Sequence, residues 1–440
     1  MTEANVEYKK PTDSPGVSDP SARGVVAALA LCLVFVALTR LPLARTTATD
    51  FDEVGYLETI QHHLMPMHHT LFLALGRLIG AGVDDPYRGF VLLDVVVSAL
   101  ALVAVWWWLR ALTGPKTSAS ATLALGCGPV FWGYGAMAAN YTAIPLVGSI
   151  LLGIAYRGRN TPKPWHPYVS ALILALGTGY RQDIGTFWLP IFLVILWRHR
   201  WLAALQAGLL FTALNLAWLV PMLHDAGGWQ AYREASAEFA HSAGYMNSVW
   251  HVGLIDGPLR YAVKGAMALL WTLGPGLLLV PVGLVRLRRI DGGAFLAGLL
   301  ALSVLPSLGS HLLVHFGVPG YAFHYVPALM GLMVLAIGPP GVPDRVGAAV
   351  FPGLAAILAA VFLLYPTDYD HPGFRGSFDL AFARHTRIGL RTPSPVRDPV
   401  FWRTVNSQEL PGESGRRTVH PRQTLSDLLE GTPPTGNDPP

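Results

Sequence analysis

Thr49-Asp50-Phe51-Asp52-Glu53-Val54-Gly55-Tyr56-Leu57-Glu58 follows directly on an apolar run over residues 24–44. Read together, the two decide the fold. About 20 apolar residues let a helix cross the ~30 Å of a bilayer core. If residues 24–44 cross, the carboxylates of Asp50, Asp52 and Glu53 emerge just beyond the far face. The rest of the chain repeats the pattern of long apolar runs and short polar breaks. It has 440 residues, 52% hydrophobic and 13% charged, where a soluble domain carries about 25% charged residues. Only helices and closed barrels satisfy their backbone in lipid, and these runs are too long for barrel strands. The expected fold class is therefore all-α, a polytopic membrane protein of about 11 transmembrane helices, with juxtamembrane helices in the first outer loop.

Spans are expected near residues 24–44, 87–111, 118–137, 139–156, 202–222, 258–285, 293–313, 321–338 and 346–365. Residues 167–197 read as two short helices hinged at 177–183. Residues 1–23 read as a disordered cytoplasmic N-terminus, residues 24–365 as the membrane domain with outer loops 45–86 and 223–257, and residues 366–440 as a polar, partly disordered tail. Positive charge should crowd the cytoplasmic loops. With the N-terminus inside, those loops hold Arg110/Lys116, Arg157/Arg159/Lys163, Arg198/Arg200, Arg286/Arg288/Arg289 and Arg345. The acidic stretch, the Arg181–Asp183 break, loop 223–257 and the Pro319–His324 turn then share the outer face. Unusual polar groups gathered on one face point to an enzyme or receptor.

The net charge of +4 is small and scattered, which gives no footprint for nucleic acid. Cys32 and Cys127 both lie in apolar runs, so no disulfide framework is implied. The first apolar run is long for a signal peptide and many more follow, so it reads as an anchor.

Five constellations carry chemistry. Around Asp52 and Glu53, apolar residues at Phe51, Val54, Leu57 and Leu64 recur at helical spacing, with Asp52, Tyr56, Thr59 and His63 on the other face. That is a surface helix whose carboxylates can serve as general base; Asp50 and Glu53 equally fit a capping box. Met65-Pro66-Met67-His68-His69 follows, close to His62 and His63. These histidines suit a divalent metal or an interfacial helix end alike. Asn140 lies in the segment Phe131-Trp132-Gly133-Tyr134-Gly135-Ala136-Met137-Ala138-Ala139-Asn140-Tyr141-Thr142. It reads either as a sugar hydrogen-bonder or as a residue completing a helix turn. Gly179-Tyr180-Arg181-Gln182-Asp183 sets an ionisable pair at membrane depth, which is costly and by default functional. Arginine suits phosphate oxygens, and a structural pair of Arg181 with Asp183 or Asp94 is the competing reading. Last, Tyr321, His324 and Tyr325 fill Pro319-Gly320-Tyr321-Ala322-Phe323-His324-Tyr325, as phosphate contacts or as interfacial belt residues.

The acidic motif Phe51-Asp52-Glu53-Val54 after a first span resembles the first outer loop of GT-C glycosyltransferases, in particular protein O-mannosyltransferases. The following Tyr56 and Glu58 are similar to the lipid A aminoarabinose transferases. His68-His69 partly resembles the His-Pro-Pro stretch of bacterial members, without its prolines. Asn140-Tyr141-Thr142 is similar to a segment in which an acid commonly precedes Tyr-Thr. The Arg181 and Tyr321 segments resemble stretches near the lipid phosphate, with His324 where Arg or Lys often stands. The resemblance implies a polyprenyl-phosphate-linked sugar donor and a lipid, glycan or protein acceptor. Asp52 or Glu53 would be catalytic, and Asp50, Tyr56, Asn140, Arg181, Asp183, Tyr321 and His324 would bind substrate. It requires no cofactor with certainty; a divalent metal stays open. Membrane lipids are the expected surroundings, and a bacterial plasma membrane the expected location. A lipid or glycan transporter without transferase activity is the alternative; it predicts charges along a path and often an internal repeat, and no convincing repeat is visible.

Overall fold

The computed structural model describes residues 21–43, 56, 69–83, 86–241, 248–316, 318–338 and 344–364. Asp50, Asp52 and Glu53 lie outside the described residues, as do both termini and most of the loop that holds the histidine run. Among the described residues every regular element is helical. In chain order these are α1 (Ala22–Arg40), α2 (Thr70–Val83), α3 (Pro86–Leu109), α4 (Pro115–Gly126), α5 (Pro129–Tyr134), α6 (Ala143–Arg157), α7 (His166–Tyr180), α8 (Gln182–Trp197), α9 (Trp201–Asp225), α10 (Trp229–Phe239), α11 (Asp256–Leu273), α12 (Val280–Leu287), α13 (Gly293–Leu313), α14 (Val326–Ile337) and α15 (Arg345–Leu364).

Among the described residues, six stretches are long and apolar enough to cross a membrane: Ala22–Arg40, Tyr87–Leu109, Trp201–Asp225, Gly257–Leu287, Gly293–Leu313 and Arg345–Leu363. The remaining apolar helices are shorter, so their length does not establish the eleven spans expected. Two expected spans are broken. Residues 118–137 divide into α4 and α5, because Gly126, Gly128 and Pro129 interrupt the helical ladder. Residues 258–285 divide at Gly274-Pro275-Gly276, where the chain passes through a 3-10 segment, Gly274–Leu279, before α12. The expected break near 177–183 is present: α7 ends at Tyr180, Arg181 is extended (φ −154°, ψ 114°), and α8 begins at Gln182.

The helices differ in how much protein surrounds them. Tyr87–Leu109 is mostly buried, whereas almost none of Ala22–Arg40 or of Trp201–Asp225 is. A helix apolar all round and buried all round belongs at the centre, so α3 is the axis of the bundle. Helices α1 and α9 are peripheral, with their leucines outward. Helix α14 is buried along its whole length and is fixed to α3 by the Trp108 indole N–H, which donates to the Pro327 carbonyl at 2.9 Å. A buried indole needs such a partner. Helices α6 and α8 approach closely because Gly148 leaves room for the fully buried Trp188; small residues let membrane helices come into van der Waals contact.

The basic loops collect at one end. Arg157 donates to the Trp107 carbonyl at 2.7 Å, Arg198 donates to the Arg159 carbonyl, and Asp344 accepts from the backbone N–H groups of Lys116 and Thr117 at 2.7 and 2.9 Å. Asp344 thereby satisfies the open N–H groups at the start of α4, which has no side-chain cap of its own. Among the described residues, the sequence candidates Tyr56, Asn140, Arg181, Asp183, Tyr321 and His324 meet at the opposite ends of these helices.

Candidate active site

The site is built around an irregular stretch that lies deep in the protein. Residues 135–142 join α5 to α6 and are all buried. Non-helical backbone at that depth survives only if its polar groups find partners within the protein. Asp94, on the central helix α3 and fully buried, supplies them. One carboxylate oxygen accepts the N–H groups of Ala139 and Asn140 at 2.6 and 2.9 Å. The other accepts the Tyr180 hydroxyl at 2.9 Å. Asn140 adopts the left-handed conformation (φ 50°), which Asn tolerates better than most residues.

This turn fixes the Asn140 amide between two partners. Its Nδ2 donates to the Tyr56 hydroxyl at 2.8 Å, and its Oδ1 accepts from Arg181 Nη1 at 2.7 Å. Asn140 itself is fully buried.

Arg181 is held from three directions. The break between α7 and α8 turns its side chain inward, with its backbone N–H still bonded to the Gly177 carbonyl. Its Nε faces both Asp183 oxygens at 2.9 and 3.0 Å. Its guanidinium carbon lies 3.9 Å from the Tyr141 ring centroid and 5.2 Å from that of Tyr321. A desolvated cation against aromatic faces is stabilised by roughly 2 kcal/mol. Asp183 sits in the first turn of α8, where the helix dipole favours an acid. On its other side, His324 Nε2 lies 3.5 Å from Asp183 Oδ2.

His324 comes from the 3-10 turn Pro319–His324 and is wholly buried, edge-on to Phe187 at 4.8 Å. Behind it His311, near the end of α13, lies 2.5 Å from the Tyr325 hydroxyl through Nδ1. His315, beyond the end of α13, packs against Tyr261 and Tyr321 at 6.1 and 6.2 Å. Burial, with Lys264 and Arg260 nearby, lowers its pKa to about 4, so its imidazole is neutral at pH 7.

Of the residues named from sequence, Tyr56, Asn140, Arg181, Asp183, Tyr321 and His324 are brought into one cluster. The arginine pairs with Asp183; Asp94 serves the turn at Asn140 instead. Sequence reasoning offered Asp94 only as an alternative partner for Arg181, although a lone acid in an apolar run signals a buried partner. It quoted Tyr141 and Tyr180 within its motifs but gave neither a role in the site. Of the histidine run, only His69 is described; its ring meets Tyr56 edge-on at 5.9 Å. Among the described residues, no three His, Cys, Asp or Glu side chains are grouped as metal ligands.

Chemically, the cluster offers a permanent cation in a dry aromatic setting, already paired with one carboxylate. Such a group recognises an oxyanion and stabilises negative charge that grows on it.

No protein-family profile and no curated protein sequence matches the chain. Its fold is similar to a solved structure, that of ArnT from Cupriavidus metallidurans bound to undecaprenyl phosphate, with a TM-score of 0.53 at 14% identity. The similarity covers 84% of this chain and 70% of the other.

Proposed function

We propose that this integral, multi-pass membrane protein, folded like ArnT, is a glycosyltransferase that moves a sugar from a polyprenyl-phosphate donor to a lipid, glycan or protein acceptor. The observation that carries this reading is the buried Arg181, set between Tyr141, Tyr321 and Asp183 at the end of the bundle away from the basic loops. It is supported by the fold likeness to a protein solved with undecaprenyl phosphate. With the basic loops cytoplasmic, the site faces the extracytoplasmic side of a bacterial plasma membrane.

In this reading the donor phosphate approaches Arg181. The acceptor oxygen or nitrogen attacks the anomeric carbon from the face opposite the phosphate. The new bond forms as the bond from that carbon to the phosphate oxygen breaks, so the centre inverts. The bonding pair leaves on the polyprenyl phosphate, and the acceptor proton passes to the carboxylate of Asp52 or Glu53. A cation fixed before the reaction lowers the barrier as charge grows on the leaving group.

The test is transfer of labelled sugar from membrane polyprenyl-phosphate-sugar pools to acceptor, catalysed by the purified protein in liposomes. Turnover lost in Asp52→Asn with donor binding retained, and donor use weakened in Arg181→Ala, supports the reading. Turnover unchanged in Asp52→Asn moves the base to Glu53 or elsewhere. No turnover by the wild type from any such pool, together with lipid or glycan movement across the vesicle, refutes it in favour of a transporter. Activity that survives EDTA treatment and metal-free dialysis excludes a divalent requirement.

A further inference from the structure

His324 touches the site through a carboxylate. Its Nε2 lies 3.5 Å from Asp183 Oδ2, its ring is wholly buried, and its other nitrogen, Nδ1, has no hydrogen-bond partner. Asp183 is therefore shared between a guanidinium at 2.9 Å and an imidazole. Of the three side chains it is the most exposed. The other ionisable groups around them are few. His69, before α2, acts on Asp183. His311, on α13, has its ring centre 5.8 Å from that of His324. Tyr141 and Tyr321 face Arg181. The Tyr325 hydroxyl is taken up by His311, and His315, with Lys264 and Arg260 of α11 near it, acts on His311 in turn.

Charge counting decides the resting state. Arg181 and Asp183 sum to zero, and one carboxylate cannot also neutralise an imidazolium in a dry setting. His324 thus rests neutral, with the Nε2–H towards Asp183 and the lone pair on Nδ1. An anion that arrives at Arg181 competes with Asp183 and leaves one negative charge uncompensated. A proton added at Nδ1 restores the balance. It breaks no existing bond, and it makes the contact of Nε2 with Asp183 a charge-assisted one. We infer that His324 is a positioning residue that takes up a proton from solvent when an anionic phosphate ester binds at Arg181, and that it then holds Asp183 aside for as long as the site is occupied. This rests on Arg181 as the phosphate-binding group of the proposed function, and not on sugar transfer itself. Under transfer the bound phosphodiester becomes a monoester of greater charge, and an imidazolium that engages Asp183 leaves the guanidinium free to meet it.

The test is calorimetry on the full-length protein in detergent micelles, with farnesyl methyl phosphate as the probe. This phosphodiester is singly charged and does not titrate near neutrality. Binding heats in two phosphate-free buffers of different ionisation enthalpy, at about pH 6.5, give the protons taken up per probe bound. Wild type should take up roughly 0.5–1 proton, so its affinity is greatest at low pH and falls by up to about tenfold per unit as pH rises. His324→Gln should bind the probe with an uptake under about 0.2 and a slope under about twofold per unit. His311→Gln, which leaves the contact of His324 with Asp183 in place, should keep most of the uptake, and Arg181→Ala should lose the probe. A wild-type uptake under about 0.2, or an uptake undiminished in His324→Gln, overturns the inference. Should His324→Gln fail to fold, the wild-type count and His311→Gln decide: a count near zero, or one lost with His311, overturns it. Binding with proton uptake in a protein that transfers no sugar sinks the transferase reading and leaves the role of His324 standing, and sugar transfer without uptake does the reverse.

Discussion

Removing the negative partner of Arg181 should cost more than removing Arg181 itself. Arg181 is 4% exposed, and Asp183 faces its Nε at 2.9 Å. In Asp183→Asn the cation stays buried against neutral amide oxygens alone, Asn140 Oδ1 at 2.7 Å among them. Breaking a buried pair from one side costs about 3–5 kcal/mol, because an uncompensated charge is left behind. Arg181→Met is different. The side chain of Asp183 is 20% exposed and has His324 at 3.5 Å, so water and an imidazole still serve it. The loss there should be nearer 1–3 kcal/mol, that of a carboxylate missing one strong hydrogen bond. Arg181→Met/Asp183→Asn has no buried charge to strand and should be less destabilised than Asp183→Asn alone. The assay is reversible unfolding in mixed micelles titrated with SDS and followed by tryptophan fluorescence. Single losses that add within about 0.5 kcal/mol in the double variant refute the reasoning, since uncoupled sites behave that way.

Other outcomes follow from contacts described above. Arg181→Lys keeps the charge but cannot span Asp183, Asn140 and the Tyr141 face at once; donor-dependent turnover should fall roughly 30-fold or more, about 2 kcal/mol, and a change under threefold would refute the cation's role. In Gly148→Ala the new Cβ would lie 2.2 Å from Trp188 Cζ2. Overpacking of this kind costs about 1–3 kcal/mol, measured by the same unfolding titration and relieved by Trp188→Leu. Burial alone raises the Asp344 pKa, but the Thr117 hydroxyl, the backbone N–H groups of Thr117 and Lys116, and nearby Arg110 together hold it below its ordinary value. Its contribution to stability is therefore present above the unfolded value near 4 and is lost as pH falls through the lower folded one. Asp344→Asn should flatten that acid limb, and an unchanged limb would contradict the cap. His315, lowered to about 4, contributes stability above its unfolded value near 6.5 that is lost as pH falls towards 4. The unfolding titration repeated at pH 7 and pH 5 should show a smaller difference in His315→Gln than in wild type.

Much of the fold was legible because lipid leaves few choices. Long apolar runs announced helices, and the Gly-Thr-Gly and Pro-Gly-Tyr breaks announced where backbone would leave the helical ladder. Residues 118–137 misled because total hydropathy is blind to whether a helix continues; Gly128-Pro129 ends it while leaving the run apolar. At the site, Arg181 with Asp183 was readable from local spacing, since the two are close in the chain. The link from Asn140 to Tyr56 and the cap from Asp94 join residues 84 and 46 positions apart. No periodicity in one sequence encodes such pairings. They arise from the packing of α3 against the irregular stretch 135–142, where buried N–H groups had to find an acceptor.

In the proposed reaction, the contact between Arg181 and Asp183 has a bearing on turnover. An anion reaching this arginine does not find an unclaimed charge; it takes the place of a carboxylate already seated there. Arrival and departure are then two directions of one exchange, in which Asp183 yields the guanidinium and later recovers it. A receptor selected for retention would do better with an unopposed cation. A site that must release a charged product after every cycle is better served by a rival anion that is always within reach.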